Sequence, residues 1–256
     1  MKKRNLLLSM ALGAMVVLAS CKKDLKEPSP SGPSIPNVTN TENKAAALLN
    51  EYFESQKQVI SVDVSNTYYF QGQKGTMFYL NGNNFEDGNG NPVTGIVDIT
   101  LVENYSKLDM IMTNKVTLAK SGNGTELLVS GGEFYMEIAQ NGNLLEVVNP
   151  IQVITSPVES ASPMSMQLFD GETDTEGNIL WTANNDTITA IQDTTGTGGG
   201  QGGPNVYSYA YDWTDSMSWI NCDYFYGVPG PMTGVELNVP SGYDNTNTMM
   251  FMVLTN

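Results

Sequence analysis

The pattern of side chains along this chain predicts a mainly β protein, an antiparallel β-sandwich, on three observations. From Val59 onward apolar residues recur with a period of two, as they do along a strand with one buried face. Turn signals part the alternating runs: Asn81-Gly82, Asp87-Gly88-Asn89-Gly90, Ser121-Gly122-Asn123-Gly124, Asn141-Gly142 and Asp170-Gly171. Charged residues make up only 15% of a chain with 25 glycines, which suits short strands and tight turns better than long charged helices. At 256 residues the chain is long enough to bury a substantial core.

The first element is a leader over residues 1–20. Lys2-Lys3-Arg4 is a basic start, and residues 5–18 are apolar apart from small or weakly polar positions. That stretch is short of the ~20 apolar residues of a membrane span, so it predicts a signal peptide. Leu18-Ala19-Ser20-Cys21 resembles the bacterial lipobox, in which the Cys21 thiol accepts diacylglycerol and the freed amine an N-acyl chain such as palmitate. Each buried methylene is worth about 0.8 kcal/mol, and two or three chains anchor durably. An ordinary cleaved leader with an incidental cysteine is the alternative. Residues 21–58 then hold the anchor, a tether with prolines at 28, 30, 33 and 36, and a short helix. Thr41 could cap that helix, and Ala45, Leu48, Leu49, Tyr52 and Phe53 fall at helical spacing.

Residues 59–191 form the expected sandwich, with strands at 59–64, 67–70, 76–80, 95–102, 108–112, 126–129, 134–139, 144–148, 151–154, 164–169 and 179–181. Residues 192–205 are a Gly-rich linker or loop, and 206–256 a second β segment. That segment is small for an independent core, so it either packs on the first domain or is an incomplete one.

Composition narrows the chemistry. The chain has no histidine, which removes the usual general base and the commonest metal ligand. A formal charge of −15 repels phosphate backbones and anionic lipid, so no nucleic acid is expected and membrane attachment rests on the lipid. With Cys21 acylated, Cys222 is the one remaining thiol; its neighbours Trp219, Ile220, Tyr224 and Phe225 mark it as a small buried hydrophobe.

Asp87, Asn89, Asn91 and Asp98 stand at positions 1, 3, 5 and 12 of a candidate calcium loop, although Pro92 replaces the glycine of the sharp turn and Asp98 belongs to a strand. Asp170, Glu172, Asp174 and Glu176 form a second acidic run. Tyr207, Tyr209, Tyr211 and Trp213 alternate, so a strand would present all four on one face, either a sugar-stacking platform or a packed core. Glu103, Asp109, Glu133 and Glu137 are the carboxylates from which a glycoside-cleaving pair could be drawn. No nucleophile–base or phosphate-loop signature accompanies them, so no enzyme activity is expected.

Gly75-Thr76-Met77-Phe78-Tyr79-Leu80, Val93-Thr94-Gly95, Asp98-Ile99-Thr100-Leu101-Val102-Glu103, Ser130-Gly131-Gly132-Glu133-Phe134 and Trp219-Ile220-Asn221-Cys222-Asp223 resemble segments of uncharacterised Bacteroidetes lipoproteins. The start at Cys21-Lys22-Lys23-Asp24 is similar to theirs as well. Residues 70–150 are weakly similar to the β-sandwich module of zonula-occludens, netrin-receptor and ankyrin proteins. The resemblance implies a fold and an outer-membrane location, on either leaflet. Self-cleavage at a His-Phe-Ser site, known in some of those modules, does not transfer to a chain without histidine. The function expected is a lipid-anchored cell-envelope binding or scaffolding protein with an unidentified protein or glycan ligand. A carboxylate-only carbohydrate-active hydrolase and a calcium-stabilised adhesin are the alternatives.

Overall fold

The computed structural model describes residues 44–253, apart from 123, 157, 160–165, 174–177, 193–205, 215–216, 228–235, 237 and 245–246. The leader, Cys21, the tether, Thr41, nearly all of the Gly-rich linker, Asp174 and Glu176 lie outside the described residues.

Helix α1 (Lys44–Gln56) forms where helical spacing places it, but its buried stripe is narrow. Leu49 is buried, whereas Leu48 is 57% exposed. Phe53 provides the rest of the contact, its ring 5.6 Å from Tyr135 and 5.7 Å from Trp219.

The expected sandwich gives way to a closed barrel with added strands. One sheet runs in the order β1 (Gln58–Asp63), β5 (Ile96–Asn104), β7 (Gly124–Gln140), β16 (Met217–Phe225), β12 (Gln167–Thr173), β13 (Ile179–Ala183) and β6 (Leu118–Ser121). It closes because β6 also pairs with β7. Strands β7, β16, β12, β13 and β6 are thereby a five-stranded barrel, antiparallel except at the β13–β6 seam, where Trp181 faces Ala119. Such closure removes sheet edges, which a sandwich leaves open.

Strand β7 makes this arrangement workable. It spans 17 residues, where two separate strands were expected. Its first part pairs with β6 inside the barrel, and its second part with β5, which carries β1 outside it. Between them Gly131-Gly132 bends the strand opposite a register shift between Asn221 and Asp223 on β16. Gly132 has φ 136, and a Cβ at Gly131 would come within 2.9 Å of the Cys222 carbonyl oxygen. At the far end Asn141 and Gly142, both with positive φ, turn the chain into β8 (Asn143–Leu144) as an Asn-Gly hairpin turn should.

Two further expectations fail locally. Residues 108–112 are not a strand but part of helix α2 (Lys107–Met112). Ser106 and Asp109 form a capping box there: the Ser106 hydroxyl accepts from Asp109 N at 3.1 Å, and the Ser106 N–H donates to the Asp109 carboxylate. Asp170-Gly171 is not a turn but lies within β12. Gly171 stands there because a Cβ would run into Ile179 and Trp181.

The second sheet contains β2 (Tyr68–Gln71), β3 (Met77–Leu80), β10 (Ile151–Ile154), β11 (Val158–Glu159), β14 (Ile188–Gln192) and β15 (Val206–Trp213). A small ladder joins β4 (Phe85–Glu86) to β9 (Glu146–Val147). Strand β15 pairs with β10, and β16 lies between β7 and β12, so strands on both sides of residues 192–205 share the same two sheets.

Two apolar cores result. One lies between the sheets and includes Val97, Ile99, Leu101, Phe134, Met136, Ile138, Phe78, Val153 and Trp213. The other fills the barrel with Val102, Ala119, Leu128, Phe169, Ile179, Trp181 and Trp219. The Trp181 indole N–H donates to the Val116 carbonyl at 2.9 Å, which satisfies its one polar atom inside the barrel.

Candidate functional site in the barrel interior

Alternation along β7 and β16 puts Phe134, Met136, Ile220 and Cys222 into the core between the sheets. The opposite faces carry Glu133, Tyr135, Trp219, Asn221 and Asp223. On an open sheet those faces would meet water. Here barrel closure makes them interior, and Glu133, Asn221 and Asp223 are each 0% exposed. Asn104 at the end of β5, also 0% exposed, joins them through its Nδ2, which donates to Glu133 Oε2 at 3.3 Å and to Thr113 Oγ1 at 2.7 Å.

The connection after α2 adds a cation. Asn114 takes φ 57 at the helix end, the left-handed conformation that asparagine tolerates at such a cap. The Lys115 N–H donates back to the Met110 carbonyl at 2.7 Å. Lys115 is left only 7% exposed, with Nζ 5.2 Å from the centre of the Trp219 ring.

The two acids are held differently. Asp223 is pinned, its Oδ1 accepting from Gly131 N at 3.2 Å and its Oδ2 from Asn221 Nδ2 at 2.6 Å. Asn221 is locked in turn by Ser130 Oγ, which donates to its Oδ1. Burial pushes the Asp223 carboxyl up to about 7 against those hydrogen bonds. Among the described residues Glu133 has a single donor, Asn104. Burial, and then the neighbouring Asp223, hold its carboxyl well above the ordinary range, opposed by Asn104 and by the Lys115 charge. Among the described residues, Glu133 Oε1 and Asn104 Oδ1 have no hydrogen-bond partner although both are buried. An oxygen buried without a donor disfavours the charged carboxylate, the same direction in which burial shifts Glu133.

The expected site residues are placed elsewhere. Asp87 Oδ1 accepts from the backbone N–H groups of Asn89 and Asn91, each at 2.9 Å, and from Asn91 Nδ2. Those bonds hold its exposed carboxyl down to about 2. Asp98 lies on β5 and accepts from Ser61 Oγ. Asp87 and Asn91 are thus engaged with each other and Asp98 with Ser61, and among the described residues no cluster of three or more acidic or cysteine side chains could hold a metal ion. Asp170 lies in β12, bonded to Asn184, and Glu172 pairs with Lys120 at the surface. Tyr209, Tyr211 and Trp213 are 0%, 3% and 0% exposed, with Tyr207 packed beside them; this row is core, not a ligand platform. Cys222 is fully buried, and burial pushes its thiol up.

Of the four carboxylates considered for hydrolysis, Glu103 accepts from Gln58 Nε2, Lys74 N and Thr76 N at 2.9, 2.9 and 3.0 Å. Asp109 bonds Ser106, Tyr52 and Lys74, whose Nζ is 3.0 Å away. Burial opposes its ionisation, but the Lys74 and Ser106 hydrogen bonds outweigh it and hold the carboxyl low. Glu137 takes a hydrogen bond from the Tyr135 hydroxyl at 2.8 Å.

The outer face of the second sheet holds a row that the strand pattern did not single out. Tyr69, Tyr79, Gln152 and Asp212 stand in register across β2, β3, β10 and β15. Tyr69 is 70% exposed, and its ring lies near-parallel to that of Tyr79, 6.2 Å between centres. Among the described residues no helix is long and apolar enough to cross a membrane. Comparison with known proteins yields no matching family model and no matching curated protein.

Proposed function

We propose that this is a lipid-anchored protein of the cell envelope, attached through Cys21, which binds an uncharged glycan and does not catalyse its cleavage. The observation that carries the binding part is the Tyr69–Tyr79–Gln152–Asp212 row on an outward sheet face. Tyrosine rings offer apolar faces to sugar C–H groups, while the amide beside them donates to and accepts from hydroxyls and the carboxylate accepts from them. A chain of net charge −15 disfavours anionic polymers at the same surface. The non-catalytic part is supported by the engagement of Glu103, Asp109 and Glu137 in structural hydrogen bonds and by the complete burial of Glu133. The anchoring part rests on the basic leader, its apolar run and the Leu18-Ala19-Ser20-Cys21 box.

The test pairs a neutral-glycan array with fractionation of cells. Wild-type protein is expected to bind at least one neutral polysaccharide, with Tyr69→Ala reducing that binding tenfold or more, while Cys21→Ala moves the protein out of the membrane fraction. Binding unchanged in Tyr69→Ala would discard this face, and membrane retention of Cys21→Ala would discard the anchor.

A further inference from the structure

Strand β14 is an open sheet edge. It pairs with β15 from Ile188 to Gln192 in unbroken register, and among the described residues no strand lies on its other side. Along such an edge alternate residues point backbone N–H and C=O groups outward, a template for one more strand. Edges are ordinarily guarded by charge, proline or a bulge. Ile188-Thr189-Ala190-Ile191-Gln192 has none of these, and Ile188, Thr189 and Ile191 are β-branched. Every residue of the strand after Ile188 is exposed. Two other edge strands differ. Strand β1 ends on a charge, Asp63, and β2 stops at Gln71, where the Gly75 N–H donates to the Gly72 carbonyl and the chain turns.

Elsewhere the chain offers a matching strand. Met249-Met250-Phe251-Met252-Val253 is an uninterrupted apolar run, and it forms no strand with the described residues. Met250 and Met252 are 53% and 64% exposed, with Phe251 partly buried between them, which is the period of a strand with one covered face. We infer that two copies of this chain associate by strand addition, residues 249–253 of one copy pairing with the β14 edge of another.

Three observations select that occupant. Outward backbone groups are satisfied by an extended polypeptide and not by a folded apolar surface. Residues 188–192 and 249–253 are equal in length, so one can pair with the whole of the other. Copies of a chain with net charge −15 repel one another, and a contact between them is best made where neither side is charged; both segments meet that condition. The pairing joins different surfaces of the two copies, and it covers the exposed methionines of one and the bare edge of the other. It is independent of the glycan reading, since the tyrosine row lies on a face of the second sheet and not on this edge.

The test is cysteine cross-linking of the full chain in cell membranes, with two differently tagged copies expressed together. Cys222 is buried, so the native thiol does not interfere. One copy carries Thr189→Cys or Ile191→Cys and the other Met250→Cys or Met252→Cys. Mild oxidation is expected to give a disulfide-linked species bearing both tags in at least one of these combinations, and none when the first cysteine is Val59→Cys on β1. Ile191→Lys or Met252→Lys, each at an exposed position, is expected to lower copurification of the two tagged copies at least tenfold without lowering the melting temperature. Absence of a two-tag species in every combination would overturn the proposal, as would copurification unchanged by both lysine variants. A disulfide formed only within a single chain carrying both cysteines would overturn it as well.

Discussion

Two glutamates, one in each core, differ in a way that explains much of this molecule. Glu103 lies between the sheets, 1% exposed, and its carboxylate takes three hydrogen bonds, two from the backbone of the β2–β3 connection. Glu133 lies inside the barrel, 0% exposed, with one side-chain donor and an oxygen left over. Both are equally hidden from water. The first is a clamp whose desolvation is offset by donors fixed in the fold; the second lacks those donors, and burial pushes its carboxyl well above the ordinary range instead. Burial alone does not decide what a charged side chain is for. The donors supplied to it do.

Glu103→Ala breaks the comparison most severely. It strands the Lys74 and Thr76 N–H groups and the Gln58 amide, and a cost of at least about 3 kcal/mol is expected in urea unfolding, at about 1–3 kcal/mol for each buried donor left unpaired. A loss under 1 kcal/mol would show that water replaces the carboxylate there.

The pH dependence follows in size. Asp223 is raised from 3.8 to about 7 in the folded state. Between those values the unfolded carboxyl ionises while the folded one stays protonated, so the folded state binds more protons and stability falls as pH rises, by about 1.4 kcal/mol per unit of raised pKa. Glu133, raised by the same burial, adds to the decline from its ordinary value of 4.5 upward. Melting temperature is therefore expected to drop from pH 4 to pH 7, and Asp223→Asn to flatten that part of the curve. A melting temperature that rises across the window would contradict the assignment.

Glu133→Gln sharpens the contrast from the other side. A glutamine keeps an acceptor for Asn104 Nδ2 and gains an N–H in place of the acid proton, so stability at pH 7 is expected to stay within about 1 kcal/mol of wild type. The same substitution at Glu103 sets an NH2 group against at least one donor, Thr76 N at Oε1 or Gln58 Nε2 and Lys74 N at Oε2, and is expected to cost more. Equal losses at the two sites would erase the distinction. Smallest of all is the effect of calcium: Asp87 is satisfied by its own loop, so neither added calcium nor a chelator is expected to shift the melting temperature.

The parts of this fold legible in the sequence are those fixed by neighbours along the chain. Period-two runs place β1, β3, β5 and β10 to within two residues, and Asn141-Gly142 turns where an Asn-Gly pair should. The parts that escaped are set by distant contacts. Asp170-Gly171 has the composition of a turn, yet Gly171 is demanded by Ile179 and Trp181 on the neighbouring strand. Leu118–Ser121 is a weak strand, and its pairing with β13 closes the barrel across about sixty residues of chain. The candidate site was hidden by that same closure. Glu133, Tyr135 and Glu137 alternate with Phe134, Met136 and Ile138, and such a pattern marks the polar set as a solvent face. The one sequence signal of enclosure is that Asn221 and Asp223 share a strand face with Trp219.

The most direct test of the account is the protonation state of Glu133, read from its carboxyl carbon by NMR in the folded full chain, with Glu133→Gln to assign the resonance. The account predicts a neutral-acid chemical shift, insensitive to pH through the range in which free glutamates titrate. A resonance at the carboxylate position, or one that titrates with the exposed glutamates, would contradict it.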